Sequence, residues 1–341
     1  MQESIIAITI LWTFLYIYAM LGSLDFGAGF WGMIYGGKDN SRASLIANRF
    51  LSPTWEVTNV FLVLFVVALF SFFPFAASML GVLFILPIGL GLILLTIRTT
   101  FMVFSHSVKR FGRLLQIISG ITGLLIPALL VSILPVTLGG FIIMEVDTPN
   151  LLYGKLLTSF TTYSHILFGL CTELFLSALF LADYAHASGD KTATATYRKH
   201  AIWLGPITIV IAVITLFTLV PEASWFLDNV KANSYGFGMS FILFVLGYLA
   251  LFLKDSSGNR GLFRYAVVFV ILQYGFAIYA YGSAHLPYMI YPHLTANAGF
   301  TNPSMFYSLL VAYGVGLTIL VPAFIFFWRL FLKDERYLKQ D

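Results

Sequence analysis

Nine apolar runs, each long enough to cross a hydrocarbon core of roughly 30 Å as a helix, leave little chain over for anything else. They lie near 4–36, 51–74, 77–105, 114–140, 160–186, 200–221, 236–254, 264–290 and 305–332 of the 341 residues. Lipid gives an open backbone nothing to bond with, so such runs are confined to structures that satisfy their own peptide groups. Runs this long without strict alternation read as helices. The expectation is an all-α integral membrane protein of about nine transmembrane helices. Composition excludes a soluble globular chain, because 59% of residues are hydrophobic and only 10% are charged.

The opening "MQESIIAITILWTF" has an acid and no base ahead of its apolar run, and that run outlasts a signal-peptide core of roughly 7 to 15 residues. It reads as a retained first helix. The net charge of +4 does not point to nucleic acid, because the bases are segregated. Sixteen of them fall in alternate connections or at the C-terminal end: Lys38, Arg42, Arg49, Lys109, Arg110, Arg113, Lys191, Arg198, Lys199, Lys254, Arg260, Arg264, Arg329, Lys333, Arg336 and Lys339. The opposite connections hold only Lys155 and Lys231, and Arg98 sits inside a run. Cytoplasmic loops are the Lys/Arg-rich ones, so an odd number of spans is expected, with an outside N-terminus and a cytoplasmic C-terminus. The bacterial cytoplasmic membrane is the expected location.

The chain reads as a single polytopic membrane domain over 1–341. "LGSLDFGAG" in the first run and "LFLADYAHA" in the fifth place Asp25 and Asp183 in similar settings, both in spans that run inward. That weak repeat suggests two four-helix bundles, 1–140 and 160–290, with a peripheral ninth helix at 305–332. The longest outer connections, 141–159, 222–235 and 291–304, are rich in Gly, Pro, Asn and Asp and read as turns. Gly32 and Gly36 have the spacing that lets helix backbones approach closely. Cys171, the single cysteine, reads as a small core residue.

Charges inside the spans narrow the function. An ionised side chain at the centre of a membrane helix costs about 2.5 to 3.5 kcal/mol on insertion scales, so it faces a partner or a wet cavity. Asp25 lies roughly 30 Å beyond the start of the first run at about 1.5 Å per residue. Glu56 in "SPTWEVTNVFL" and Arg98 in "LLTIRTTFMVF" fall at a similar depth near the inner face, with Thr54, Thr58 and Asn59 close by in sequence. Two acids and one base leave one acid unpaired, which suits proton exchange. The bland alternative is a structural salt bridge from Arg98 to either acid. Glu173 in "GLCTELFLSALF" looks deepest and has no basic partner in sequence, so a protonated, hydrogen-bonded carboxyl is expected, or a relay.

His165 and His285, near outer ends, are the histidines placed best for haem, although interfacial histidines are more often polar anchors. No HExxH, CxxC, Walker or dinucleotide fingerprint occurs, so no metal or cofactor site is expected in this chain.

Three stretches in order carry a family resemblance. "LDFGAGFWGMIYG", then "ANRFLSPTWEVTNVFLVLFVVALFSFFP", then "TIRTTF" resemble subunit II of the cytochrome bd-type quinol oxidases. That family has an acid and Gly-x-Gly in its first helix, Pro-x-Trp-acid heading the second, an aromatic-Pro ending it, and an arginine late in the third. Asp25 with Gly27 and Gly29, Pro53 with Trp55 and Glu56, Phe73 with Pro74, and Arg98 stand at those positions. There are departures: Val57, Thr58, Val60 and Phe61 follow the Trp-acid pair where the family has Gly-Asn and Val-Trp. Thr99 and Val103 stand where the family often has glycine and an acid, and some members carry histidine in place of Thr54.

The resemblance implies a haem-free subunit paired with a larger subunit I that bears haems b and d, oxidises quinol and reduces oxygen to water. Protons would come from the cytoplasm along a path using Asp25, Glu56, Thr58 and Arg98, with Glu173 and Asp183 as further polar sites. It leaves room for a structural quinone and a small accessory subunit. A proton-coupled secondary transporter and a purely structural scaffold for subunit I remain as alternatives.

Overall fold

The computed structural model describes residues 2–37, 41–107, 112–145, 148–254 and 260–332, apart from the side chains of 51–56, 102–107, 327, 328 and 330–332. Helix α1 (Gln2–Tyr35) is apolar around most of its circumference, as a helix surrounded by others must be. It packs against α2 (Arg42–Phe72), α5 (Gly112–Val131) and α8 (Phe160–Ala187). Ser41 caps α2, its hydroxyl accepting from the Ser44 amide.

The Phe-Pro pair ends α2 for a backbone reason. Pro74 opens α3 (Pro74–Leu83), where its missing amide hydrogen costs nothing, and the residue before a proline is driven out of the helical region. Phe73 accordingly adopts φ −132° and ψ 62°, and the axes of Val57–Phe72 and α3 differ by 116°. Phe72 and Phe73 are fully buried at that corner. Helix α4 (Ile85–Ser107) follows after Phe84, so the third apolar run consists of two consecutive helices, and α6 (Ile133–Leu138) extends α5.

The second half contains α8, α9 (Lys191–Thr218), α11 (Ser234–Ala250) and α12 (Phe263–His285). Ser159 caps α8, and the Asp190 carboxylate caps α9 by accepting from the Ala193 amide at 2.9 Å. Packing of α8 on α9, of α11 on α12, and of α12 on α8 and α1 joins this half to the first. Helix α14 (Pro303–Leu332) leans on α2 and α1, and none of its most apolar stretch is buried.

Among the described residues, six helices are long and apolar enough to cross a membrane, or up to eight if each of two bent pairs is one span. Ile85–Phe101 of α4 is a further, shorter apolar helix. The protein is thus an all-α, multi-pass membrane protein.

The connections expected on the outer side are more ordered than their turn-rich sequences suggest. In 141–159, β1 (Ile142–Glu145) pairs antiparallel with β2 (Thr148–Leu151) and α7 (Tyr153–Thr158) follows. In 222–235 a helix forms, α10 (Ser224–Ala232), because Phe226 is buried beneath it and Trp225 donates to the Leu138 carbonyl at 2.9 Å. Strand β3 (Tyr288–Ile290), β4 (Leu294–Thr295) and the short α13 (Ala296–Gly299) precede α14. Isolated apolar side chains among the turn formers found a core to enter, which a window average conceals.

Candidate functional site

Gly27 and Gly29 let charged and polar side chains reach the backbone of α1. A β-carbon on Gly27 would sit 2.2 Å from Ser177 Oγ and 3.2 Å from the Glu173 carbonyl oxygen, so α8 meets α1 only because that atom is missing. A β-carbon on Gly29 would sit 2.8 Å from Arg98 Nη1 and 3.0 Å from Ser119 Oγ. Gly32 and Gly36 likewise admit Asn48 of α2 and Gln116 of α5.

Arg98 of α4 enters the space so made and is 1% exposed. Its Nη2 lies 3.4 Å from Asp25 Oδ2 and donates to the Asp25 carbonyl oxygen at 2.8 Å. Nη1 donates to the Ser119 carbonyl at 2.6 Å and to its hydroxyl at 3.2 Å. The guanidinium carbon lies 5.1 Å from the centroid of the Phe26 ring, within cation–π range. Asp25 is buried, and its Oδ1 makes no hydrogen bond among the described residues.

Among the described residues, the acid paired with Arg98 is Asp25. Glu56 lies on the described backbone of α2, but its side chain is outside the described residues, as are those of Pro53, Thr54 and Trp55. Thr58 is buried one half-turn further along α2.

Glu173 corrects the depth estimate. It is 1% exposed, sits on the turn of α8 that faces Gly27, and is close enough to Arg98 and Asp25 to feel both charges. The count from run starts misplaced it because the runs start at different heights. Gly27 level with Ser177 puts residue 10 level with residue 160, so α1 projects about 12 Å beyond the start of α8 at 1.5 Å per residue.

The same offset separates the two acids of the weak repeat. Asp183 lies about 12 Å nearer the basic end than Asp25. There it pairs with Arg264 of α12 at 3.2 Å, with the Arg264 side chain 59% exposed. The sequence did not single out Ser177, whose hydroxyl donates to the Glu173 carbonyl at 2.8 Å and accepts from Trp31 Nε1 at 3.0 Å. The paired glycines after Asp25 were the available signal that something large approaches there.

His165 and His285 are engaged locally. His165 Nδ1 bonds the Thr161 carbonyl at 2.7 Å. His285 bonds the Tyr288 carbonyl at 2.7 Å through Nδ1 and Thr137 Oγ1 at 3.3 Å through Nε2. An Nδ1 bond to a backbone carbonyl is compatible with ligation through Nε2, so His165 would keep its contact, whereas His285 would have to surrender the Thr137 bond. Among the described residues no group of His, Cys, Asp and Glu is arranged to hold a metal ion. Cys171 is buried and free. An open, apolar groove of about 420 Å³ between α11 and α12 is lined by Leu246, Leu249, Phe252, Leu253, Tyr265 and Phe269.

A multi-pass helical bundle with a buried ion pair shared by its first, third and fourth apolar segments defines a polytopic membrane protein with charge in its interior. The family "Cytochrome bd terminal oxidase subunit II" matches residues 2–331, and the chain belongs to that family. A protein of Bacillus subtilis (strain 168), named as a cytochrome bd menaquinol oxidase subunit II, is 47% identical over 99% of this chain and 98% of its own length. The bd oxidase structure from Geobacillus thermodenitrificans contains a chain that superposes with a TM-score of 0.84 at 36% identity, covering 98% of this chain and 100% of that one.

Proposed function

We propose that this chain is the haem-free subunit of a quinol:oxygen oxidoreductase, seated against a haem-bearing subunit I, and that its buried charges take part in proton uptake from the cytoplasm. Quinol oxidation and reduction of oxygen to water would occur in subunit I, with haems b and d there, and the name of the Bacillus relative favours menaquinol as the donor. In this reading the chain is the expected topology of nine spans, outside N-terminus and cytoplasmic C-terminus, with units 1–140 and 160–290 and a peripheral helix at 305–332.

The observation that carries the proposal is the Asp25–Arg98 pair. A buried ion pair is a poor source of stability compared with apolar packing, so its presence among membrane helices favours a role in moving or holding charge. Asp25 Oδ1 makes no hydrogen bond among the described residues and is able to accept a proton, while Ser119 helps to hold the Arg98 guanidinium in place. Glu56 and Thr58 of α2 would lie on the approach from the basic end, and Asp183 would be a surface stop on the second unit.

The test uses the purified two-subunit complex. Quinol-dependent oxygen uptake is expected to fall in Asp25→Asn and Glu56→Gln while the reduced-minus-oxidised haem spectrum keeps its amplitude. Unchanged uptake in both variants would leave the scaffold reading. That reading has its own support, since the guanidinium is held by two backbone carbonyls as well as by Asp25.

A further inference from the structure

Glu173 is contributed by the second helical unit to a site otherwise made by the first, and nothing in the proton-path proposal uses it. Both carboxyl oxygens are buried and neither has a hydrogen-bond partner among the described residues. Among the described residues, the charged groups that act on it are Arg98 of α4 and Asp25 of α1. Tyr18 of α1 is buried, its hydroxyl makes no hydrogen bond among the described residues, and it is near enough to Asp25 to feel its charge.

Counting charges and donors decides what Glu173 can be. One guanidinium serves two carboxyls: its Nη1 and Nη2 are committed to Ser119, the Asp25 carbonyl and the Asp25 carboxylate, and its remaining donor, Nε, bonds neither Glu173 nor any other described residue. An ionised carboxylate buried with no donor is among the costliest groups a protein can hold, and a like charge nearby raises the cost further. A neutral carboxyl avoids both penalties. We infer that Glu173 is the proton-holding carboxyl of a two-acid, one-guanidinium site built across the contact of α1 and α8, and that its proton exchanges with water. Its use in uptake rests on the proton-path reading; its occupancy by a proton does not.

Infrared spectra of the purified complex in H2O and D2O test this directly. The wild type is expected to show a protonated-carboxyl C=O band that moves down in D2O and is lost in Glu173→Gln, with haem content unchanged. Glu173→Asp keeps an acid one methylene shorter and should displace the band, which gives a readout where the glutamine variant does not assemble. An identical carboxyl region in wild type and variants would overturn the inference by showing Glu173 ionised. A Glu173 band that ignores D2O would overturn it too, because the proton would not be exchangeable. Should Asp25→Asn and Glu56→Gln leave oxygen uptake intact while the Glu173 band persists, the uptake reading falls and the proton on Glu173 stands.

Discussion

Two Asp–Arg pairs of the same chemistry occupy opposite situations in this bundle. Asp25–Arg98 lies among α1, α4 and α5 with side chains 6% and 2% exposed, at 3.4 Å, and the arginine is held by further backbone and hydroxyl acceptors. Asp183–Arg264 joins α8 to α12 at 3.2 Å with side chains 15% and 59% exposed. The shorter contact is the less consequential one. Water and headgroups can replace an exposed arginine, whereas removing one member of a buried pair strands the other in low dielectric.

The largest effect therefore belongs to Arg98. Arg98→Met is expected to destabilise the subunit by about 3 to 5 kcal/mol, the range for breaking a buried pair from one side, and to lower the yield of assembled complex sharply. Thermal unfolding in detergent, read beside haem content, measures it. A variant that assembles and melts like the wild type would erase the contrast between the two pairs. Combining Arg98→Met with Asp25→Asn should recover part of the loss, because no uncompensated charge then remains on Asp25.

Next in size is the close approach that puts Glu173 beside the pair. Gly27→Ala would place a β-carbon 2.4 Å from the Ser177 β-carbon and 3.2 Å from a backbone oxygen that has little freedom to move. Overpacking of this kind costs about 1 to 3 kcal/mol. Ser177→Gly in the same chain removes both conflicting side-chain atoms and should restore much of the stability, a coupling readable in a double-mutant cycle. Additive effects would mean that α1 and α8 separate easily, and the site shared between them would lose its basis.

How much of this was legible in the sequence depends on which forces set each feature. The end of the second run at Phe73–Pro74 was readable, because proline imposes its geometry locally, although the 116° corner there was not. The spans were readable to within a few residues where apolarity ends with the helix, as in α14. Helix α9 was not, since it begins at Lys191 rather than near 200. Hydropathy reports the part in lipid, while Asp190 caps a helix whose first ten residues, "KTATATYRKH", are largely polar. Arg98 as a buried base was visible, and so was Asp25 as a candidate partner. Glu173 as their neighbour was not, because the height of α8 against α1 is fixed by the contact of Gly27 with Ser177, a tertiary fact.

The smallest effect should come from Arg264→Ala, and its smallness is what gives the comparison its force. The guanidinium is mostly exposed and its bond to Asp183 is one of a kind that contributes about 0 to 1 kcal/mol, less in salt. Melting temperature and oxygen uptake of the complex should shift little from the wild type, and the small shift should shrink further as ionic strength rises. Asp183 sits about 12 Å from the level of Asp25, so the surface pair has no means of altering the buried one through short-range contact. A loss of uptake in Arg264→Ala comparable to that in Asp25→Asn would mean that the two pairs belong to one charge pathway running down α8, and that burial is the wrong axis on which to separate them.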